Sequence, residues 1–293
     1  MMNIDFKHSL KGAAALLALS AFLVSCGSST KKEESSDGLD YDSSAMQEPA
    51  ATTKPIDSGV EKVPEVKRET PKDAYGPLID AYKNQNDEGI YRASVSILSN
   101  NPNDAKALNA LGLYHYRKGR FLASRYFFSR AQAQNPRASE LHNNQGLVSL
   151  ALGEQREAIR SFKKALELNP NDGLAAANLG SIYVQEKDYY KAIFPLEVAV
   201  KKGMRESRTL TNYAIACVGT GKYDVAKSSL EEALKQNSNN KEALFALSNL
   251  LIAHMKQYPE GLEHLNRLKF LGPAQEMRNR MNTLENEAKA GIQ

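Results

Sequence analysis

Small and large apolar residues recur along this chain with a period of 34 residues. The unit at 139–172 aligns with 105–138 before it and with 173–206 after it. The eighth position of the unit is small in each copy (Gly112, Gly146, Gly180, Ala214 and Ser248), and so is the twentieth (Ser124, Ala158, Ala192 and Ala226). The twenty-fourth position is large (Phe128, Phe162, Leu196 and Leu230). Small residues at these positions let two antiparallel helices approach closely, so the period predicts helix pairs that pack only against their neighbours.

Six such units are predicted, followed by a capping helix. The units span 71–104, 105–138, 139–172, 173–206, 207–240 and 241–274. The first unit keeps little beyond the end of the pattern, as expected of a terminal repeat. A stretch from about residue 275 to 290 carries apolar residues on one helical face (Met277, Met281, Leu284 and Ala288), so 275–293 is predicted to be the capping helix and tail.

Two irregularities interrupt the repeat pattern. The last unit, 241–274, gains one residue, which the alignment places near Tyr258-Pro259. Pro195 lies inside a predicted second helix, where it removes one backbone donor and should kink the helix. A role of Pro195 in partner recognition is the alternative.

The unit resembles the tetratricopeptide repeat. Leu179-Gly180-Ser181-Ile182-Tyr183 matches the core of that pattern, although no copy has tryptophan at the fourth position. The resemblance implies an all-α fold, a right-handed superhelical solenoid of about six helix-turn-helix repeats with a C-terminal capping helix. It also implies that the first helices line a concave groove that binds partner proteins.

The positions that would face this groove combine amides with apolar side chains. The sixth position holds Asn144, Asn178 and Asn212, whose amides can bond a peptide backbone of any sequence. The predicted partner groove also includes Leu113, Tyr116, Leu147, Leu150, Val184, Ile215, Val218 and Ile252. The alternative is that several of these residues only pack against the adjoining helix. Lys106, Arg117 and Arg208 are too scattered for the carboxylate clamp of chaperone-binding relatives.

The first 70 residues have the features of an exported, lipid-anchored protein. An apolar run at 13–24 is followed by Ser25 and Cys26, and Leu23-Val24-Ser25-Cys26 resembles the bacterial lipobox. The resemblance implies a signal peptide at 1–25 and lipidation of Cys26, with an acyl group on the new amino terminus. By resemblance to Gram-negative lipoproteins, a residue other than Asp after the cysteine, here Gly27, implies export to the outer membrane, with the protein facing the periplasm. Residues 26–70 are then expected to consist of the lipidated cysteine and a disordered tether. The apolar residues of the tether are too scattered for helix or strand periodicity.

Charge and candidate chemistry argue against catalysis and nucleic-acid binding. The net charge is +4, about −4 over 27–70 and about +7 over 71–293, without a basic cluster that could follow a phosphate backbone. The chain has no HExxH, CxxC or GxSxG motif, and His115 and His142 lack an evident acidic or cysteine partner. Cys217 occupies a core position, which predicts a buried thiol. We therefore expect a non-enzymatic protein without cofactor, metal, small-molecule substrate or nucleic-acid partner.

Signal, lipobox, tether and repeats together resemble two groups of bacterial lipoproteins. One group comprises the pilotins, which help the secretins of type IV pili to assemble, and the other serves gliding-motility machines. Both resemblances imply a membrane-anchored scaffold that binds a peptide or helix of a partner. The alternative is an adaptor that docks peptidoglycan hydrolases or proteases at the cell envelope.

Overall fold

The computed structural model describes residues 72–293, and every regular element among them is helical. A 3-10 turn at Lys72–Tyr75 precedes the helices. The first seven are α1 (Gly76–Lys83), α2 (Asp87–Asn100), α3 (Ala105–Arg117), α4 (Phe121–Gln134), α5 (Ser139–Ala151), α6 (Gln155–Leu168) and α7 (Gly173–Gln185). The remainder are α8 (Tyr189–Lys201), α9 (Ser207–Gly219), α10 (Tyr223–Gln236), α11 (Lys241–Asn249), a π-helical turn (Leu250–His254), α12 (Tyr258–Phe270) and α13 (Gln275–Ile292).

Each helix pair is joined by a three-residue turn that requires one left-handed residue. The middle residue of all six turns has positive φ: Gln85, Gly119, Gly153, Lys187, Gly221 and Lys256, with φ between 52° and 78°. Glycine adopts this conformation without steric cost. In Gln85, Lys187 and Lys256 the Cβ atom comes close to the backbone carbonyl oxygen, so these residues adopt it at an energetic cost. The left-handed middle residue is therefore kept in all six pairs even where the sequence lacks glycine.

Side-chain caps begin several of the helices. Asp104, Asp172 and Asn240 each accept a hydrogen bond from the backbone N–H three residues later, at 2.9, 3.1 and 3.0 Å. These bonds satisfy a backbone donor that has no partner within the helix. The end of one repeat therefore also defines the start of the next.

The interior of each repeat is built on contact between the eighth and the twenty-fourth position. A Cβ atom added to Gly146 would lie 2.6 Å from Cε1 of Phe162, and one added to Gly180 would lie 2.4 Å from Cγ of Leu196. Both large side chains are fully buried. A side chain at the glycine would therefore displace the second helix, which explains the small residue there.

The last repeat, 241–274, accommodates its extra residue in its first helix and not near Tyr258-Pro259, where the alignment placed it. The π-helical turn carries a bond from the Met255 N–H to the Leu250 carbonyl over five residues, at 3.0 Å. The turn that follows still has three residues, as in the other repeats. A single π turn absorbs one inserted residue without breaking the helix. Helix α8 runs through buried Pro195 from Tyr189 to Lys201.

First helices of successive repeats contact one another, and this contact sets the curvature. Helices α3, α5, α7, α9 and α11 form a continuous series of neighbours, whereas within residues 72–293 successive second helices make no comparable contact. The first helices therefore form the inner surface of the solenoid and the second helices its outer surface. Helix α13 closes the end by burying Met281, Leu284 and Ala288 against the core.

The predicted all-α repeat solenoid is confirmed for the described residues. Glu69–Gln293 form one compact unit, and the clusters of buried side chains all lie within it. This part of the chain accordingly contains its own core.

Candidate partner-binding groove

The structure brings most of the predicted groove residues together on the inner surface. Helix α3 carries Leu113 and Tyr116, α5 carries Asn144, Leu147 and Leu150, α7 carries Asn178 and Val184, and α9 carries Asn212, Ile215 and Val218. All of these side chains are partly exposed except Asn144, which is 9% exposed. The four helices thus present a mixed amide and apolar surface along the inside of the solenoid.

The apolar members of this surface fall into two groups. Leu147, Leu150 and Val184 pack partly against the cluster that contains Phe162 and Leu196. Val218 packs against the C-terminal cluster in the same way. Leu113 and Ile215 are partly exposed and lie outside the side-chain clusters of residues 72–293. The interior therefore accounts for part of the apolar surface, while Leu113 and Ile215 have their apolar atoms available to a ligand.

The asparagines connect neighbouring first helices. Asn144 Nδ2 donates to Asn109 Oδ1 at 2.9 Å. Asn178 Nδ2 donates to Asn143 Oδ1, also at 2.9 Å. Asn109 and Asn143 stand at the fifth position of the repeat, directly before the sixth, and were not among the residues predicted for the groove.

A serine replaces the asparagine acceptor one repeat later. Asn212 Nδ2 donates to Ser181 Oγ at 2.8 Å, and Ser181 donates to the Ala177 carbonyl at the same distance. An asparagine amide has two donor hydrogens and an acceptor oxygen, so one such bond leaves the rest of the group for another partner. The amide rail, defined as Asn144, Asn178 and Asn212, consequently has a structural role. Asn144 is buried and its Oδ1 also accepts from Asn143 Nδ2 at 3.4 Å, whereas the partly exposed Asn178 and Asn212 retain capacity for a ligand.

The three basic residues noted in the groove have different surroundings. Lys106 Nζ lies 4.8 Å from the centroid of the Tyr75 ring. Arg117 bonds Asp87 at 2.7 Å. Burial raises the pKa of Tyr116, and the positive charge of Arg208 acts in the opposite direction.

The placement of Ile252 in the groove is wrong. Its side chain is fully buried, and a Cβ atom added to Gly261 would lie 2.4 Å from Ile252 Cγ1. The corresponding residues Leu150, Val184 and Val218 remain partly exposed. The π turn at Leu250–His254 accounts for the difference, because an inserted residue rotates the following side chains around the helix axis. Ile252 therefore belongs to the core of the last repeat.

His115, His142 and Cys217 each have their own structural surroundings. His115 stacks on Phe127 at 5.1 Å between ring centroids, and burial lowers its pKa. His142 contacts Gln132 and the Pro136 carbonyl. Cys217 is fully buried and burial raises the pKa of its thiol, which confirms the expected core cysteine. Within residues 72–293 no group of three or more His, Cys, Asp and Glu side chains could hold a metal ion.

The predicted lipidation site, Cys26, lies outside the described residues, as do the predicted signal peptide and tether. Among residues 72–293, no helix combines the length and the apolar character needed to cross a membrane.

Family models match three parts of the chain. Two tetratricopeptide-repeat models match residues 139–172 and 91–139. A model of the coatomer epsilon subunit matches residues 192–290.

Solved structures with the same fold have low sequence identity to this chain. YrrB, described as a TPR protein with an unusual peptide-binding site, is 18% identical, and the match covers 68% of this chain and 99% of YrrB with a TM-score of 0.56. Pseudomonas aeruginosa PilF is 19% identical, with 74% and 96% coverage and a TM-score of 0.60. MamA from Desulfovibrio magneticus RS-1 is 18% identical, with 57% and 94% coverage and a TM-score of 0.50. At these identities the likeness concerns the fold.

Proposed function

The chain contains tetratricopeptide repeats, and on that premise we propose that it is a non-enzymatic adaptor whose inner surface binds a peptide or helix of a partner protein. The observation that carries this proposal is the exposure of Leu113 and Ile215 on the inner surface, outside the packed clusters. Repeat solenoids use such extended concave surfaces for binding, and an apolar partner segment would bury these side chains.

The amide rail would add orientation to this apolar contact. Asn178 and Asn212 each donate one hydrogen bond to a neighbouring repeat, which holds the amide in position. The remaining donor and the carbonyl oxygen of each amide can pair with the backbone of an extended segment or a helix end. Bonds of this kind contribute about 0.5–1.5 kcal/mol each. The apolar positions would supply most of the affinity, and the rail would fix the direction of the segment.

Site-specific photocrosslinking tests this proposal. We expect a photoreactive amino acid at Ile215 on α9 to capture a defined partner in cells. The same amino acid at Val225, a 40% exposed residue on α10 of the outer surface, serves as the control. Leu113→Ser with Ile215→Ser should reduce copurification of that partner about tenfold or more, because two apolar contacts are lost.

Circular dichroism of the double variant separates binding from folding. The helical signal and the melting temperature should remain close to those of the wild type. Equal capture from Val225 and Ile215, or undiminished copurification with the folded double variant, would contradict the inner-surface site.

The finer proposal is that the partner belongs to a cell-envelope machine. Support comes from the resemblance of the N-terminal motifs to those of pilus and motility lipoproteins and from the shared fold with PilF. Docking of peptidoglycan hydrolases or proteases is the second candidate. Mass spectrometry of the partner captured at Ile215 distinguishes them, because a secretin or motility subunit supports the first and a cell-wall enzyme or protease the second.

Membrane anchoring through Cys26 completes the proposed function. Two or more acyl chains are expected to hold a protein firmly to a bilayer, whereas one binds reversibly. We expect the wild type to fractionate with outer membranes and Cys26→Ser to appear as unprocessed precursor or soluble protein. Normal processing and unchanged membrane fractionation of Cys26→Ser would contradict lipidation.

A further inference from the structure

Three successive second helices expose an unusual set of side chains on the outer surface. We define the outer stripe as Leu122 and Tyr126 on α4, Arg156 and Arg160 on α6, and Tyr190 and Phe194 on α8. The apolar members are strongly exposed, at 67% and 57% on α4 and at 80% and 73% on α8. Large apolar side chains that are exposed together on one surface are typical of a site that binds a protein or a membrane.

The six residues occupy equivalent places in their repeats. Within each helix the two residues are four positions apart, so they lie on one helical face. The period of 34 residues places the three pairs at the same level on neighbouring helices. The stripe therefore alternates across the surface from an apolar pair to a basic pair and back to an apolar pair.

The stripe is confined to α4–α8. At the same two positions α2 carries Glu88 and Arg92, and α10 carries Asp224 and Ser228. Repeat packing does not require apolar residues at these positions, because the fold places charged residues there in other repeats. The interior of the solenoid thus does not account for the aromatic residues on α8.

Helix α6 extends the basic pair along its length. Lys163 and Lys164 are exposed on the helix after Arg156 and Arg160. Two of the four charges have carboxylate neighbours, since Arg160 pairs with Glu157 and Lys164 with Glu167. These pairs are exposed to solvent and therefore leave the cationic groups accessible to a stronger anionic surface. The ridge formed by α6 remains predominantly basic between two apolar pairs.

We propose that the outer stripe is a membrane-contacting surface that binds the interface of an anionic lipid bilayer. Basic side chains are attracted to anionic headgroups, while Tyr, Phe and Leu side chains that project from the same surface can enter the interfacial layer. The projecting residues stand on a convex face, and a charged ridge separates their two pairs. A bilayer interface can accommodate the apolar side chains and the basic side chains together anywhere on its surface. A protein partner would instead need two separate apolar pockets, one on each side of an acidic strip.

This contact orients the solenoid. The stripe lies on the second helices, and the candidate partner groove lies on the first helices on the opposite side. Binding through the stripe would leave the inner surface directed away from the membrane. The inference rests on the outer surface alone and stands independently of the proposed groove and of lipidation at Cys26.

Vesicle flotation with the fragment 69–293, which contains the complete solenoid core, tests the proposal. We expect the fragment to float with vesicles of phosphatidylcholine and phosphatidylglycerol in equal amounts, and much less with phosphatidylcholine alone. Tyr190→Ser with Phe194→Ser should lower the bound fraction per lipid about tenfold, as should Arg156→Gln with Arg160→Gln. Phe270→Ser is the matched control, because Phe270 is 91% exposed on α12, outside the stripe.

Each result decides for or against the membrane contact. Binding that requires anionic lipid, weakens in high salt and is lost in both stripe variants but not in Phe270→Ser supports it. Absence of wild-type binding, or equal binding by folded stripe variants, overturns it. Sedimentation of the fragment as a dimer that Tyr190→Ser with Phe194→Ser dissociates, without vesicle binding, would assign the stripe to contact between two copies instead.

Discussion

The interior of the repeats and their inner surface follow different rules. In the interior, Gly146 meets Phe162 and Gly180 meets Leu196 at distances that leave no room for a Cβ atom. On the inner surface, the ninth position of successive repeats varies from Leu147 through Ser181 to Ile215 without altering the helix bounds. The interior is constrained by contact geometry, whereas the inner surface can vary and is therefore where partner specificity can be encoded.

The last repeat, 241–274, shows how a residue can pass from one region to the other. One inserted residue, taken up by the π turn at Leu250–His254, moves the twelfth position from the inner surface into the interior. Ile252 then occupies space next to Gly261. Which residues of a first helix face the interior thus depends on the rotation of the helix about its axis, and one inserted residue changes that rotation.

The largest loss of stability is expected when an interior side chain is removed. Phe162→Ala deletes a fully buried ring that fills the space above Gly146, and we expect a loss of about 3–5 kcal/mol of unfolding free energy. For a domain of this size that corresponds to a fall in melting temperature of roughly 6–20 °C, measured by circular dichroism.

Leu122→Ala is the control for this change, because Leu122 is 67% exposed on α4. Its unfolding free energy should stay within about 0.5 kcal/mol of the wild type. If the two variants lost similar amounts of unfolding free energy, burial would not distinguish the interior of the repeats from their outer surface.

A smaller effect is expected from the amide rail. Asn178→Ala removes the bond to Asn143 between neighbouring first helices, which should cost about 0.5–1.5 kcal/mol in urea unfolding. A double-mutant cycle with Asn143→Ala isolates the bond, since both single variants lose the same contact. A coupling energy near zero would show that the bond between Asn178 and Asn143 does not stabilise the stacking of the repeats. Binding of a partner would then be the only role left for the amide of Asn178.

The pattern of small and large residues predicted the fold and the candidate surface in outline. Glycine opposite phenylalanine at fixed positions of a 34-residue unit is a local steric requirement, so it is visible without coordinates. The same spacing assigned Leu113, Asn178 and Ile215 to the inner surface. The predicted capping face with Met281 and Leu284 followed equally from helical periodicity.

Contacts between repeats were decided by the tertiary structure. The pairing of Asn178 with Asn143 depends on how far one first helix is rotated against the next, which no pattern within a single repeat records. The burial of Ile252 depends on where an inserted residue is absorbed, and a turn and a helix can both absorb it. The outer stripe emerged because stacking aligns Tyr126, Arg160 and Phe194 on adjacent helices, although 34 residues separate each from the next in the chain. Local spacing thus determines which face of a helix a residue occupies, and only the packing of helices against one another determines what that face meets.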